Sequence, residues 1–188
     1  MSASRNNILN KSKQLFEQHG YSKTTLTDIA RSVGKVKSAL YYYFSGKEEI
    51  FARIVKDEAE QFWNDLSASL EVGDGPEENL QAYISTRVHA MQRIAKRYSF
   101  LKREIFELMP IIEENRRETD LLEKEKIAAI LARHPKYASS DKQLIKFKAD
   151  MLVNTIKGLE IQMYVTDQVL IDDESLPVFR GVLLHGIL

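Results

Sequence analysis

TTLTDIARSVGKVKSALYYYF occupies residues 24–44. Thr25-Leu26-Thr27-Asp28 has the spacing of a capping box, in which a hydroxyl and a carboxylate three residues apart satisfy each other's backbone amides at a helix start. Leu26, Ile29, Ala30 and Val33 then recur at i, i+3, i+4 and i+7, one face of a helix, and Gly34 stands where such a helix ends. Leu40 and Phe44 form a second i, i+4 pair and predict a helix over about 36–44, broken by Ser45-Gly46. Two short helices joined by a glycine turn outline a helix-turn-helix unit. Before them, Ile8, Leu9, Ser12, Leu15, Phe16 and His19 share one face of a first helix, 4–19, with Gly20 behind it.

Apolar residues keep helical spacing through the remainder, and no alternating strand pattern stands out. The fold class is therefore all-α. A three-helix helix-turn-helix domain over 1–46 precedes a larger helical domain over 47–188. Within the latter the pattern predicts helices over 47–71, 77–97, 98–109 (stopping at Pro110), 111–134 (stopping before Pro135) and 140–167. A polar connection, 170–175, leads to a last helix from Pro177 to Leu188.

With 188 residues, 44% apolar and 29% charged, the chain has the composition of an ordinary globular protein. It has no cysteine, which excludes disulfides, thiolate zinc sites and cysteine nucleophiles together. No apolar run reaches the roughly 18 to 20 residues that span a bilayer, and the first residues are polar, so no membrane partner is expected and the cytoplasm is the expected compartment. Charge is unevenly spread. Residues 1–47 hold eight Lys or Arg (Arg5, Lys11, Lys13, Lys23, Arg31, Lys35, Lys37, Lys47) against Glu17 and Asp28, a formal +6 balanced by −6 in the rest. A basic first quarter on an acidic body suits a polyanion partner, and equally a merely solvated lysine-rich surface.

On a helical wheel with Leu40 and Phe44 inward, Tyr42 points away from the core, Tyr41 and Tyr43 flank the buried stripe, and Ser38 and Ala39 share the outward face one turn earlier. This fits a helix that enters the major groove of double-stranded DNA. Small residues at its start leave room at base edges, the Ser38 hydroxyl can bond a base or phosphate, and the Ala39 methyl can meet a thymine methyl. The Tyr41 and Tyr42 hydroxyls can reach phosphates, Lys35, Lys37 and Lys47 can neutralise them, and the cap residue Thr25 can present a hydroxyl or amide to the backbone. Tyr41 and Tyr43 can also be half-buried core residues with wet tips. A different class of reading is a helical protein–protein interaction module whose partner docks on the tyrosine face.

Gly20-Tyr21, Thr24-Thr25, Asp28-Ile29-Ala30, Gly34, Lys37, Leu40-Tyr41-Tyr42-Tyr43-Phe44 and Lys47-Glu48-Glu49-Ile50-Phe51 resemble the N-terminal signature of the TetR family of transcriptional regulators. The motif resemblance covers about residues 5–51; beyond it, only the helix count and lengths suit. The resemblance implies a homodimeric, ligand-responsive repressor with a palindromic operator, a helical body that binds a small molecule, and last two long helices that pair with a second subunit. Lys35 and Val36 depart from the family pattern of a small apolar residue followed by Ser, Thr or Ala. Valine cannot cap a helix through its side chain, so a contact from a capping hydroxyl is not carried over.

The helix over 140–167 is apolar on two sides, one carrying Ile145, Ala149, Leu152, Ile156, Leu159 and Met163, the other Leu144, Phe147, Met151, Gly158, Ile161 and Val165. One side can pack on its own domain and the other on a partner. Candidate subunit contacts are Leu152, Ile156, Leu159, Met163, Val178 and Val182, completing a four-helix interface, although a central helix of a monomeric bundle would show the same pattern. Aromatic and methionine residues of the middle helices, Trp63, Met91, Phe100, Phe106, Met109, Phe147 and Met151, are candidates to line a cavity for a small apolar or amphipathic effector; each is equally at home in an ordinary core. Catalytic machinery is missing from the sequence pattern: the four histidines are isolated, no His-Glu-x-x-His or glycine-rich phosphate loop occurs, and neither metal, cofactor nor enzymatic activity is expected.

Overall fold

The computed structural model describes residues 3–71, 73–99, 102, 104–166 and 171–188. They form α1 (Ala3–His19), α2 (Leu26–Ser32), α3 (Lys37–Leu40), α4 (Lys47–Ser69), α5 (Pro76–Arg97), α6 (Ile105–Ala132), a 3-10 turn (Pro135–Tyr137), α7 (Lys142–Val165) and α8 (Leu176–Ile187), with no strand among the described residues. The all-α expectation holds.

Two compact units share the chain: Met1–Ala59 with Lys96–Arg116, and Glu60–Ala95 with Arg117–Leu188. Where the sequence predicts a single cut after residue 46, the first unit runs on into α4 and takes in the start of α6. The reason is packing. Ile50, Phe51 and Ile54 of α4 and Leu108 of α6 are buried with Ile8, Leu9 and Phe16 of α1, Ile29 and Ala30 of α2, and Leu40 and Phe44 around α3. Phe51 meets the Phe16 ring edge-on at 5.8 Å and the Tyr21 ring at 5.1 Å, which packs α4 on the C-terminal part of α1 and the turn after it. Gly20 and Gly34, at φ 84° and 66°, close α1 and α2 in the left-handed region that side chains avoid.

The second unit has its own core. Leu66 of α4 and Leu70 just after it, Tyr83, Ile84 and Met91 of α5, Ile127 and Leu131 of α6, Ala149, Leu152, Val153 and Ile156 of α7, and Leu184 and Ile187 of α8 are all buried in it. Among the described residues no helix is long and apolar enough to cross a membrane.

Two predicted boundaries move. Pro110 does not end a helix: it sits inside α6, which continues to Ala132. A proline there removes only one helical hydrogen bond, the one to the Phe106 carbonyl, and both residues are exposed, so water can take the freed acceptor. The helix predicted over 36–44 is shorter. α3 proper covers Lys37–Leu40, and the chain then tightens as the amides of Tyr43 and Phe44 both donate to the Leu40 carbonyl, at 2.8 and 2.9 Å. That turn keeps Leu40 and Phe44 inward together.

Candidate nucleic-acid interface

The helix-turn-helix is held by its own side chains. The Thr25 hydroxyl accepts the Asp28 amide at 3.2 Å and donates to the Asp28 carboxylate at 2.6 Å, while the Thr25 amide donates to the same carboxylate at 3.0 Å. These bonds, the hydroxyl's first, hold the Asp28 carboxyl below its ordinary pKa. The capping box expected at Thr25 is therefore formed, and its hydroxyl proton is committed to Asp28. At the other end the Lys35 amide bonds the Ala30 carbonyl at 2.9 Å, fixing the turn that sets α3 against α2.

α3 projects the expected face. Leu40 is fully buried; Tyr42 is 85% exposed and Tyr41 51%, and Lys35, Lys37 and Ser38 are exposed, with Ala39 half-buried. Tyr43 is half-buried and meets the Tyr42 ring edge-on at 5.0 Å, which steadies the outermost ring. The result is two phenol tips and three cationic or hydroxyl side chains around small residues at the start of α3, a surface that can contact phosphates on both sides of a groove and bases between them.

Lys47 departs from its expected role. Its ammonium donates to the Tyr21 carbonyl at 2.8 Å and lies 4.1 Å from the Tyr21 ring centre, turned onto the loop before α2 rather than outward. Burial lowers its pKa, against the attraction of Glu104. Glu104, which from the sequence could equally orient a ligand or sit on the surface, is held by the loop before α2. Its two carboxylate oxygens accept the Tyr21 and Ser22 amides, each at 2.8 Å, from more than eighty residues away. A carboxylate just ahead of α6 thus caps the loop that enters the helix-turn-helix, with charge-assisted bonds stronger than neutral ones. Nothing in local spacing marks it.

Residues 8–54 match the family described as bacterial regulatory proteins, tetR family. This N-terminal region of the chain is similar to the DNA-binding region of the TetR family. A stretch of 53 residues is 40% identical to the biofilm operon icaADBC negative transcriptional regulator IcaR of Staphylococcus epidermidis, and one of 52 residues is 42% identical to that of Staphylococcus aureus. These matches span 28% of the chain and 29% and 28% of those proteins. Over nearly its whole length the chain shares its fold with solved regulators. The fatty acid degradation regulator FadR of Bacillus halodurans aligns over 98% of this chain and 96% of its own at TM-score 0.74 and 17% identity. A TetR/AcrR regulator of Thermobifida fusca aligns over 98% of both chains at TM-score 0.73 and 22% identity. The similarity in sequence is thus confined to the helix-turn-helix region of the first unit, and the rest of the chain is similar to these regulators in fold alone. Among the described residues no group of three His, Asp or Glu is placed to hold a metal.

The second unit sorts the remaining candidates. Leu152, Ile156 and Met163 are enclosed in its core and Leu159 packs against it, so that face of α7 is spent within the unit; Val178 and Val182 of α8 are exposed. The uncovered apolar face is the opposite one, with Phe147 61% exposed and Leu144, Met151, Ile161 and Val165 beside it. Gly158 on that face and Gly181 on α8 have open space where a Cβ would stand. Of the predicted cavity residues, Met91 is fully buried, Trp63 packs half-buried on the same core, Met109 is half-buried in the first unit's segment, and Phe106, Phe147 and Met151 are exposed. Phe100 lies outside the described residues.

What the second unit does enclose is charge. Arg87 donates to Glu123 through Nε at 2.9 Å and to Glu160 through Nη1, and the Tyr83 hydroxyl donates to Glu123 at 2.7 Å. All four side chains are buried, and the Arg87 guanidinium lies 4.7 Å from the Phe62 ring centre. Burial opposes the Arg87 charge, but Glu160 and Glu123 outweigh it and raise its pKa. Burial and Glu123 raise that of Tyr83. The Arg87 Nη2 group has no hydrogen-bond partner.

Proposed function

We propose that the protein is a homodimeric, ligand-responsive repressor that reads a palindromic operator in the major groove of double-stranded DNA. The observation that carries this reading is the outward face of α3, Tyr42 above all, set on a helix-turn-helix in the basic part of the chain. A repressing role is supported by the similarity of part of this chain to the IcaR proteins, which are negative transcriptional regulators. Dimerisation is supported by the exposed apolar face of α7 together with Val178 and Val182 of α8, where Gly158 and Gly181 leave room for close approach of a second copy. Two recognition helices on a two-fold axis would then enter major grooves about 34–36 Å apart.

The second unit is the proposed effector-binding part. Its core carries a spare donor, Arg87 Nη2, beside apolar side chains, which suits an amphipathic effector that ends in a hydrogen-bond acceptor. Release from DNA would follow from tighter effector binding to the conformation that cannot span the operator.

Selection of sites from random duplex DNA at about 0.15 M salt, with Tyr42→Ala in parallel, tests the reading. The wild type is expected to enrich a two-fold symmetric site and the variant to lose it while keeping its thermal stability, since Tyr42 contributes nothing to the core. Enrichment of a single unsymmetric half-site would remove the dimer. No enrichment by the wild type would hand the tyrosine face to a protein partner.

A further inference from the structure

We propose that Val36 is a specificity-determining residue that reads a thymine methyl group. The inference rests on the DNA-binding reading above and adds to it a base preference set by one side chain.

Val36 stands at the N-cap of α3 with extended backbone, φ −84° and ψ 153°, and makes no side-chain cap bond. Its carbonyl accepts the Ala39 amide at 3.0 Å, but its isopropyl group is 69% exposed. Within the domain the residue has two local costs and no return: Ser, Thr or Asp at this position would satisfy an orphan amide, and a polar side chain would be better solvated. A lone exposed apolar residue needs no explanation on most surfaces. Here, however, Lys35, Lys37, Ser38, Tyr41 and Tyr42 around it are all exposed polar or amphipathic groups, and the position is the leading edge of the second helix of a helix-turn-helix, the part that meets base edges.

Valine has no donor or acceptor, so it can bond neither phosphate nor the polar edge of a base. The apolar group that a major groove offers it is the C5-methyl of thymine. Its branched Cβ restricts the side chain to few rotamers, so the two methyl groups are presented with little entropy to lose on contact. Lys35 and Lys37, on either side, are placed to hold the backbones that fix the groove's position against it.

The test uses the site obtained by selection with the full-length protein. Each thymine is replaced in turn by deoxyuridine, which removes the methyl and leaves the base pair intact, and binding is measured for wild type, Val36→Ala and Val36→Ser. Serine restores the cap, so that variant keeps or gains thermal stability. The expected result is one thymine in each half-site whose replacement weakens wild-type binding about fourfold, the effect of one methyl group leaving an apolar contact, while both variants bind thymine and uracil duplexes alike. Uracil substitutions that affect all three proteins equally, or none, would overturn the assignment of Val36 and leave DNA binding standing. A wild type that enriches no site would remove the DNA-binding reading, and this one with it.

Discussion

At Thr25 one hydroxyl satisfies the start of α2 and holds an acid ionised. Asp28 has its folded-state pKa below the unfolded value, so the stability it contributes is present above the ordinary carboxylate range, near pH 4, and is lost as pH falls through the depressed value. Thr25→Ala is expected to remove about 1 kcal/mol, as cap deletions do. It should also flatten the fall of melting temperature below about pH 4. Thermal melts across pH check both; a variant curve parallel to the wild type would separate the cap from the titration. Glu49 behaves alike for the next helix, its carboxylate held down by the Ser45 amide and then the Ser45 hydroxyl. Thr25 could be read from its spacing to Asp28. Lys47 and Glu104 could not, because the Tyr21 carbonyl and the Tyr21 and Ser22 amides that occupy them are far away in sequence.

Among the helices, α6 departs furthest from its sequence pattern. Proline restricts its own torsion and clashes with the carbonyl four residues back, which is why 110 reads as an end. The helix nevertheless passes through it, since Ile105 and Leu108 before it are buried and Ile111 and Ile112 after it pack on the first unit's core. Burial of several such side chains, at about 1.5–3 kcal/mol each, outweighs one lost hydrogen bond. Pro110→Ala should restore that bond and raise stability by up to about 3 kcal/mol, less about 0.4–1 kcal/mol for the greater freedom of the unfolded chain. A shift of the urea midpoint to higher concentration is the expected reading. A shift to lower concentration would mean that the proline's distortion is what seats Leu108.

The molecule as a whole pairs an apolar core in each unit with a buried ionic network in the second. Arg87, on α5, reaches Glu123 on α6 and Glu160 on α7, so three helices share one guanidinium. Such a network adds little net stability relative to apolar packing, but losing one partner leaves a bare charge in the core. Arg87→Met is expected to cost about 3–5 kcal/mol at pH 7. In that variant Glu123 and Glu160 would sit buried without their cation. Denaturant titrations of both proteins at pH 7 measure this, and a variant as stable as the wild type would show that apolar packing can replace the network.

Short-range patterns carried the helix class, the Thr25 cap, the glycine stops and the outward turn of Tyr42, because each depends on residues within about one or two helical turns. The charge division of the chain and its TetR-like signature were legible for the same reason, being properties of residue type and spacing. Which face of α7 is spent inside its unit was not legible, since both faces are apolar and only the positions of α5, α6 and α8 distinguish Ile145, Ala149 and Leu152 from Phe147, Met151 and Ile161. The same holds for Lys47 turning inward, Glu104 capping a loop and Arg87 finding two glutamates. Their partners lie 26 to 83 residues away, at separations where helical periodicity has no say and packing selects the neighbour.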